Sequence, residues 1–416
     1  MRWSCAWITS LVLVSLCYSR TKPFLIGADI SFVDQDETEG AKYYDNGVQK
    51  DIFQILKDHK FNAIRLRTFV NPSAVGGYSE KGYCDLAHTL KMAKRIYGAG
   101  MVFLLDFHYS DTWADPGKQI KPLAWSTVSF SALTDSVYAY TRNAIMKLKA
   151  QGTPPHMCQI GNEIIPGMLL PDGSTDNFTK LGTLLKAGIR GVKEVDSTIQ
   201  VVAHLPRGND FPATRWWLDS VTVHGAKFDI LGESCYTEWH GQPSEWKAAF
   251  DSLARYYPKM KFMIAEYCQM KREANDVIFS LPNECGLGTF VWEPTRAGET
   301  IFTNSGNDYK TNSLIDLFPH MSRDYGNDTF TAALPTRAIN HRPGYSFSLV
   351  AGKKPMVRYS VPRPCNLEIE LMSVNGRIVD RCMVHATQSG SGFALSDNAG
   401  NLSGGAYIVK VRALPE

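Results

Sequence analysis

Cys158-Gln-Ile-Gly-Asn-Glu163 and Phe262-Met-Ile-Ala-Glu266 are two short, mostly apolar runs, each closed by a glutamate. In a parallel α/β chain such runs are buried strands, because helices cover both faces of the sheet. A polar residue at the C-terminal end of such a strand points into the mouth where ligands bind. Two carboxylates facing one cavity are what glycosidic bond hydrolysis needs: one protonates the leaving oxygen, and the other attacks the sugar carbon or activates water. Strand-end glutamate pairs also serve as metal ligands or buried ion-pair partners, so spacing alone leaves three uses open.

Outward from these two runs, the pattern repeats. Short apolar runs fall at 24–30, 63–66, 101–107, 157–160, 200–203, 228–232, 262–265 and 288–292, each separated by room for a helix and loops. This is the spacing of a closed (β/α)8 barrel, a TIM barrel of the α/β class. Residues 48–57 show helical periodicity, with Val48, Ile52, Ile55 and Leu56 on one face; 85–97 reads likewise, with Leu86, Leu90, Ala93 and Ile96. A doubly wound open sheet is the alternative, but no Gly-x-Gly-x-x-Gly follows the first strand.

At 416 residues the chain fits one barrel plus a small module. Lys and Arg number 44 against 41 Asp and Glu, a balance that gives no electrostatic case for nucleic acid or an anionic membrane as partner. Residues 1–19 read as a signal peptide: Arg2, then an apolar stretch over 6–16, then Cys17-Tyr-Ser19 with cleavage after Ser19. Leu16 stands where a lipoprotein would have a small residue, and the stretch is too short for a membrane span. The mature protein is therefore expected to be soluble and exported, either released or held at the cell surface. Of nine cysteines, Cys5 and Cys17 leave with the leader, and the seven that remain are an odd number. Cys158, Cys235 and Cys268 read as buried small apolar residues, and no Cys-x-x-Cys spacing suggests zinc.

Residues 20–322 are thus the expected barrel, 323–355 a linker punctuated by Pro335, Pro343 and Gly344, and 356–416 a small all-β sandwich domain. Alternating Leu367, Ile369 and Leu371 precede Asn375-Gly376, a strong hairpin signal. A two-residue loop there sets Cys382 opposite Ile369 and Cys365 opposite Ala386, so the two cysteines are not opposed for a disulfide.

The stretch Leu105-Asp-Phe-His108-Tyr-Ser-Asp111-Thr-Trp113-Ala-Asp115-Pro-Gly-Lys-Gln119 closely resembles the signature of the glycoside hydrolase family 53 endo-β-1,4-galactanases. So do Gly27-Ala-Asp-Ile-Ser31, Ile64-Arg-Leu-Arg67, Gln159-Ile-Gly-Asn-Glu-Ile164, Trp239-His-Gly241 and Val291-Trp-Glu-Pro294. These matches keep the family's order over roughly 24–320. The resemblance implies Glu163 as acid/base, Glu266 as nucleophile, and β-1,4-galactan side chains of pectin as substrate. It also implies that Asn162 holds the sugar's 2-hydroxyl and that His108, Asp111, Trp113, His204, Trp239 and His240 line the cleft. Tyr236 is placed to hydrogen-bond Glu266, and Trp292 to stack on the sugar at the cleavage point. A buried arginine can keep the nucleophile ionised; Arg65 and Arg67 share one strand face, and Arg67 is preferred as nearer the mouth. Chemistry of this kind requires no cofactor. Some bacterial members bind calcium, but Thr303-Asn304-Ser-Gly-Asn307-Asp308 lacks an acidic cluster and reads as a solvated loop, so no metal site is assigned.

Departures from the pattern are Leu170 where the family has Trp, Glu233 and Cys235 where a neutral residue and Tyr are usual, and Tyr267-Cys268 for Thr-Ala. They put subsite number and product length in doubt, not the two-glutamate chemistry. The Asn375-Gly-Arg377 turn with the closing Gly404-Gly-Ala-Tyr407 strand resembles the sorting domains of type IX secretion cargo, implying secretion machinery as a partner; a generic β-sandwich is the alternative. Two other functions stay open: a β-1,4-glycanase acting on mannan, xylan or cellulose, and a non-catalytic surface carbohydrate-binding protein.

Overall fold

The computed structural model describes residues 10–16, 23–327, 346–350, 356–361, 364–373, 378–386, 389–394 and 405–414. The chain divides into two compact units, one spanning Phe24–Ser322 and the other formed by the segments outside it. In the first, eight strands close into a barrel: β1 (Leu25–Asp29), β2 (Ala63–Thr68), β3 (Val102–Phe107), β4 (Met157–Ile160), β5 (Gln200–Leu205), β6 (Ile230–Ser234), β7 (Lys261–Tyr267) and β8 (Gly286–Trp292). Every neighbouring pair is parallel, and β8 pairs with β1 to close the ring. Helices fill the connections, from Ile52–Asp58 after β1 to Leu317–Asp324 after β8. The expected (β/α)8 barrel is the fold.

Period-two alternation makes the barrel interior a stack of layers. One layer is apolar: Ala63, Leu104, Met157, Val202, Ile230, Met263 and Phe290 form a single buried cluster. Two residues further along four of these strands stand Arg65, Asp106, Gln159 and His204, all buried. The barrel is therefore plugged by hydrocarbon below and floored by a polar layer above. Gly27 of β1 is required by this packing, since a Cβ there would lie 2.3 Å from the Phe290 ring.

The helix expected over 85–97 runs Leu86–Ala99, capped by the Asp85 side chain accepting from His88 N–H and ended by Gly100 at φ +71°. The one expected over 48–57 is corrected. Val48 lies on a short strand, Val48–Lys50, and is 57% exposed; the helix Ile52–Asp58 starts after Asp51, whose carboxylate accepts from Phe53 N–H. The missed signal is Asn46-Gly47, both at positive φ, which turns Lys42–Asp45 back into Val48–Lys50 as a hairpin. Similarly, Gly306-Asn307 is the turn of a hairpin joining Phe302–Ser305 to Asp308–Thr311, which accounts for the polar loop after β8.

Among the described residues the second unit holds two antiparallel sheets. One orders Ser10–Leu16, Gly405–Leu414, Cys365–Ser373 and Ile378–Ala386; the other orders Ser346–Val350, Met356–Ser360 and Ser389–Ala394. Two elements fall within the expected 323–355 linker. The last barrel helix continues to Asp324 and a strand occupies Ser346–Val350, while 328–345 lies outside the described residues. Ser10–Leu16, read above as the apolar part of a leader, pairs with Gly405–Leu414. The turn Asn375-Gly376 lies outside the described residues, but its flanking strands take the expected register, with Cys365 opposite Ala386 and Ile369 opposite Cys382. Among the described residues no helix is long and apolar enough to cross a membrane.

Candidate active site

A cleft of about 930 Å³ opens at the C-terminal ends of the barrel strands, and both glutamates line it. Glu266 is the penultimate residue of β7 and is 7% exposed. Glu163 stands three residues beyond β4, half-buried, with φ +51°. A left-handed backbone at a non-glycine residue is disfavoured, and such strain concentrates at functional sites. The Glu163 side chain lines the cleft. One carboxylate oxygen of Glu163 lies within 4.8 Å of one of Glu266.

The two carboxyls differ in what touches them. Glu266 Oε1 is 2.9 Å from Arg65 Nη2, and Tyr236 O–H donates to Oε2 at 2.9 Å. Burial raises the Glu266 pKa on balance, with Arg65 and Tyr236 pulling against it. Among the described residues no cation touches Glu163; burial and then the negative charge of Glu266 push it up to about 8. Two like charges this close do not both ionise cheaply, so the pair holds one proton at neutral pH. That proton sits on Glu163, because the ionised form of Glu266 is the one paired with a guanidinium.

Arg65, not Arg67, is the arginine on Glu266. It is 1% exposed and also meets Asp29 Oδ2 and Asp106 Oδ2, both at 2.8 Å, and Asn162 Oδ1 at 2.9 Å. Both arginines do point inward, as alternation requires. Glu266 lies within β7 rather than past its end, so it meets the deeper one. Arg67, two residues nearer the mouth, binds Glu293 Oε1 at 2.6 Å, just past β8. Its guanidinium lies 4.2 Å from the ring centroids of both Phe32 and Trp113. Arg65 is the alternative that the sequence offered to Arg67; Asp29, Asp106 and Gln159 were not assigned from it. The signal was there: Arg65 and Gln159 share the inward face with Arg67 and the run that ends at Glu163.

His108 and Asn162 line the cleft. Ala114 N–H donates to His108 Nδ1 at 3.0 Å, which leaves Nε2–H for Asp106 Oδ2 at 3.0 Å. Trp113 and Trp292 stand at the mouth with centroids 6.3 Å apart. Tyr236, Trp239 and His240 also line the cleft; Trp239 is 70% exposed, and burial pushes His240 down to about 4. Two expected lining residues are placed elsewhere. Asp111 is outside the cleft, its carboxylate accepting from the backbone N–H of Asn71 at 2.9 Å and of Leu123 at 2.8 Å. It ties the loops after β2 and β3 together. His204 is fully buried as part of the floor, with Nδ1 2.8 Å from Asn162 Oδ1 and Nε2 2.9 Å from Ser234 Oγ.

Glu163, His204 and Glu266 have the spacing of a metal-binding trio. Both His204 nitrogens are already hydrogen-bonded and Arg65 already occupies Glu266, so the donor set does not fit a cation. The thiols of Cys158, Cys235 and Cys268 are buried and free, and burial raises the pKa of each.

Glu233 is in the wall, not the mouth. Its Oε1 accepts from Thr214 Oγ1 at 2.7 Å and its Oε2 from Arg207 N–H at 2.9 Å, and burial pushes its pKa up to about 8. A raised carboxyl pKa contributes stability that is present below the unfolded value and lost as pH rises to the folded value. Between about pH 4 and 8 Glu233 therefore erodes stability progressively. Glu233→Gln should flatten the decline of Tm across that interval; calorimetry showing the same decline in wild type and variant would refute this.

A family model described as Glycosyl hydrolase family 53 matches residues 25–280. A probable arabinogalactan endo-beta-1,4-galactanase A of Aspergillus terreus is 34% identical over 325 residues, 70% of this chain and 90% of that protein. The endo-beta-1,4-galactanase of Bacillus subtilis is 32% identical, covering 66% of this chain and 70% of that protein. Among solved structures, the Ignisphaera aggregans GH53 catalytic domain superposes with a TM-score of 0.66 at 30% identity, covering 74% of this chain and 98% of that one. With the barrel and its paired glutamates in place, the chain belongs to glycosyl hydrolase family 53 and is a glycoside hydrolase.

Proposed function

We propose that this enzyme is a retaining endo-hydrolase of β-1,4-galactan. The observation that carries the reading is the pair Glu163 and Glu266, with carboxylate oxygens within 4.8 Å and only one of them bound to a guanidinium. Retaining enzymes hold their carboxyls about 5–5.5 Å apart, whereas inverting ones leave roughly 6.5–9.5 Å for a water. In the proposed first step Glu266 attacks the anomeric carbon while Glu163 gives its proton to the leaving glycosidic oxygen. In the second, Glu163 takes a proton from water, which displaces Glu266 and restores both groups. Trp292 and Trp113 offer ring faces for the apolar side of a pyranose near the scissile bond, and exposed Trp239 offers one at the rim.

Galactan is supported by the printed names of the Aspergillus and Bacillus relatives. Purified enzyme should release short oligosaccharides from β-1,4-galactan and leave mannan, xylan and cellulose intact. Equal or greater release from any of those three would overturn the substrate assignment.

A further inference from the structure

Asn162 is fixed in orientation by Arg65. A guanidinium only donates, so the Asn162 atom 2.9 Å from Arg65 Nη2 is the oxygen, and its Nδ2 donates to Ala114 O at 2.8 Å. His204 Nδ1 is 2.8 Å from that oxygen and must carry a hydrogen. Gln159 Nε2, 3.1 Å from the same nitrogen, directs its hydrogens to Asp106 Oδ1 at 2.6 Å and Asn162 Oδ1 at 3.0 Å. Burial and the charge of Arg65 push the His204 pKa well below its ordinary value, so the ring is neutral and Nε2 is a bare acceptor. Its partner at 2.9 Å is the Ser234 hydroxyl, which therefore donates to it. A hydroxyl has one proton. Ser234 Oγ thus presents lone pairs to Glu163 Oε1, 2.6 Å away, and while its hydroxyl donates to His204 that contact is a hydrogen bond only when Glu163 holds the proton.

We propose that His204 and Ser234 form a one-way hydrogen-bond chain that parks the proton on Glu163 in the resting enzyme, making Ser234 a positioning residue for the general acid. This rests on the reading of Glu163 as the acid. With Glu163 protonated, His204 Nε2 and Ser234 Oγ each receive one hydrogen, while Asn162 Oδ1 takes that of His204 Nδ1 beside those of Arg65 and Gln159. With Glu163 ionised, Nε2 and Oε1 compete for the single Ser234 proton, and one buried acceptor goes without. Other charges on Glu163 are Glu266 from β7 and Asp115 from the loop after β3, which favour the proton, and Arg65 from β2, which opposes it. His204 is faced in addition by Asp106, His108 and His240. During turnover the Glu163 O–H bond breaks, its proton goes to the leaving glycosidic oxygen as the C1–O bond breaks, and the Ser234 hydroxyl turns from His204 to the new carboxylate.

The pH profile of kcat/KM reports the free enzyme, and its basic limb is the loss of the acid's proton. Ser234→Ala should move that limb to lower pH by about 0.5–1 unit, since one hydrogen bond to the protonated form is lost. A serine that merely donated to the carboxylate would give a shift to higher pH. Ser234→Thr keeps the hydroxyl and should keep the limb. Should Ser234→Ala not fold, Ser234→Cys, near-isosteric and a weak acceptor, makes the same measurement. An unmoved limb or one moved upward in a folded variant overturns the proposal. The acid reading is checked separately with Glu163→Gln on an aryl β-galactoside whose leaving group needs no proton. A basic limb that persists there refutes Glu163 as the acid, whatever Ser234 does.

Discussion

Glu266→Ala is expected to lower kcat/KM on galactan by about 10⁴-fold or more, because removing a covalent nucleophile removes the whole two-step route. Sodium azide should restore part of the rate. The truncated side chain leaves room for a small anion on the α face of the sugar, and the acid on the other side is intact, so the rescued product is the α-galactosyl azide. Glu163→Ala should behave differently. It loses about 10²–10⁴-fold on galactan but much less on an activated aryl galactoside, whose departure needs no protonation. Azide then attacks the covalent intermediate and yields the β-galactosyl azide. The two variants are thus separated by the anomer of one product, read by NMR. The same anomer from both variants would show that the roles are misassigned.

Arg65→Met should be the most damaging substitution in the barrel floor. Arg65 is the counter-cation of Asp29, Asp106 and Glu266 at once, and it is buried. Burial alone would raise the Asp106 pKa, yet Arg65 and His108 outweigh it and hold the group below its ordinary value. Breaking a buried ion pair from one side costs about 3–5 kcal/mol, because the remaining charge is left desolvated. The sign of the pH dependence follows. Without Arg65 the carboxylates bind protons more tightly in the folded state than in the unfolded one, so the variant is least destabilised below about pH 4 and loses further ground as pH rises towards 7. Arg67→Met removes a cation from Glu293 instead and leaves Glu266 paired, so residual activity should be higher. Denaturant melts at pH 4 and pH 7 check the first statement, and turnover of the folded fraction checks the second. Equal losses for the two arginines would restore Arg67 as the partner of the nucleophile.

What the residues disclosed of this fold depended on length scale. The eight barrel strands were legible because each is a short apolar run isolated by room for a helix, and that rhythm has few other solutions. Val48 was misread because a hairpin turn and a helix start lie five residues apart, and an apolar period runs through both. At the site, the glutamates and aromatic walls were legible from strand-end position and motif together. Arg65 was half-legible: alternation placed it on the inward face, but depth along the barrel axis depends on where β7 stands relative to β2, which no single strand discloses. His204 and Asp111 were misplaced for the same reason. His204 stands at a strand end and Asp111 in a long motif after one, and only the packing shows that the first is part of the floor and the second clamps two loops. The positive φ of Glu163 left no trace in composition or period.

The most direct test of the proposed double displacement is the anomer released first. Galactan is cut in deuterated buffer and the new reducing ends are followed by proton NMR before mutarotation. Two inversions at one carbon, with Glu266 attacking and water then replacing it, predict that the β-anomer forms first and the α-anomer grows in later. If the α-anomer forms first, one water attacks directly, and Glu266 is not a nucleophile.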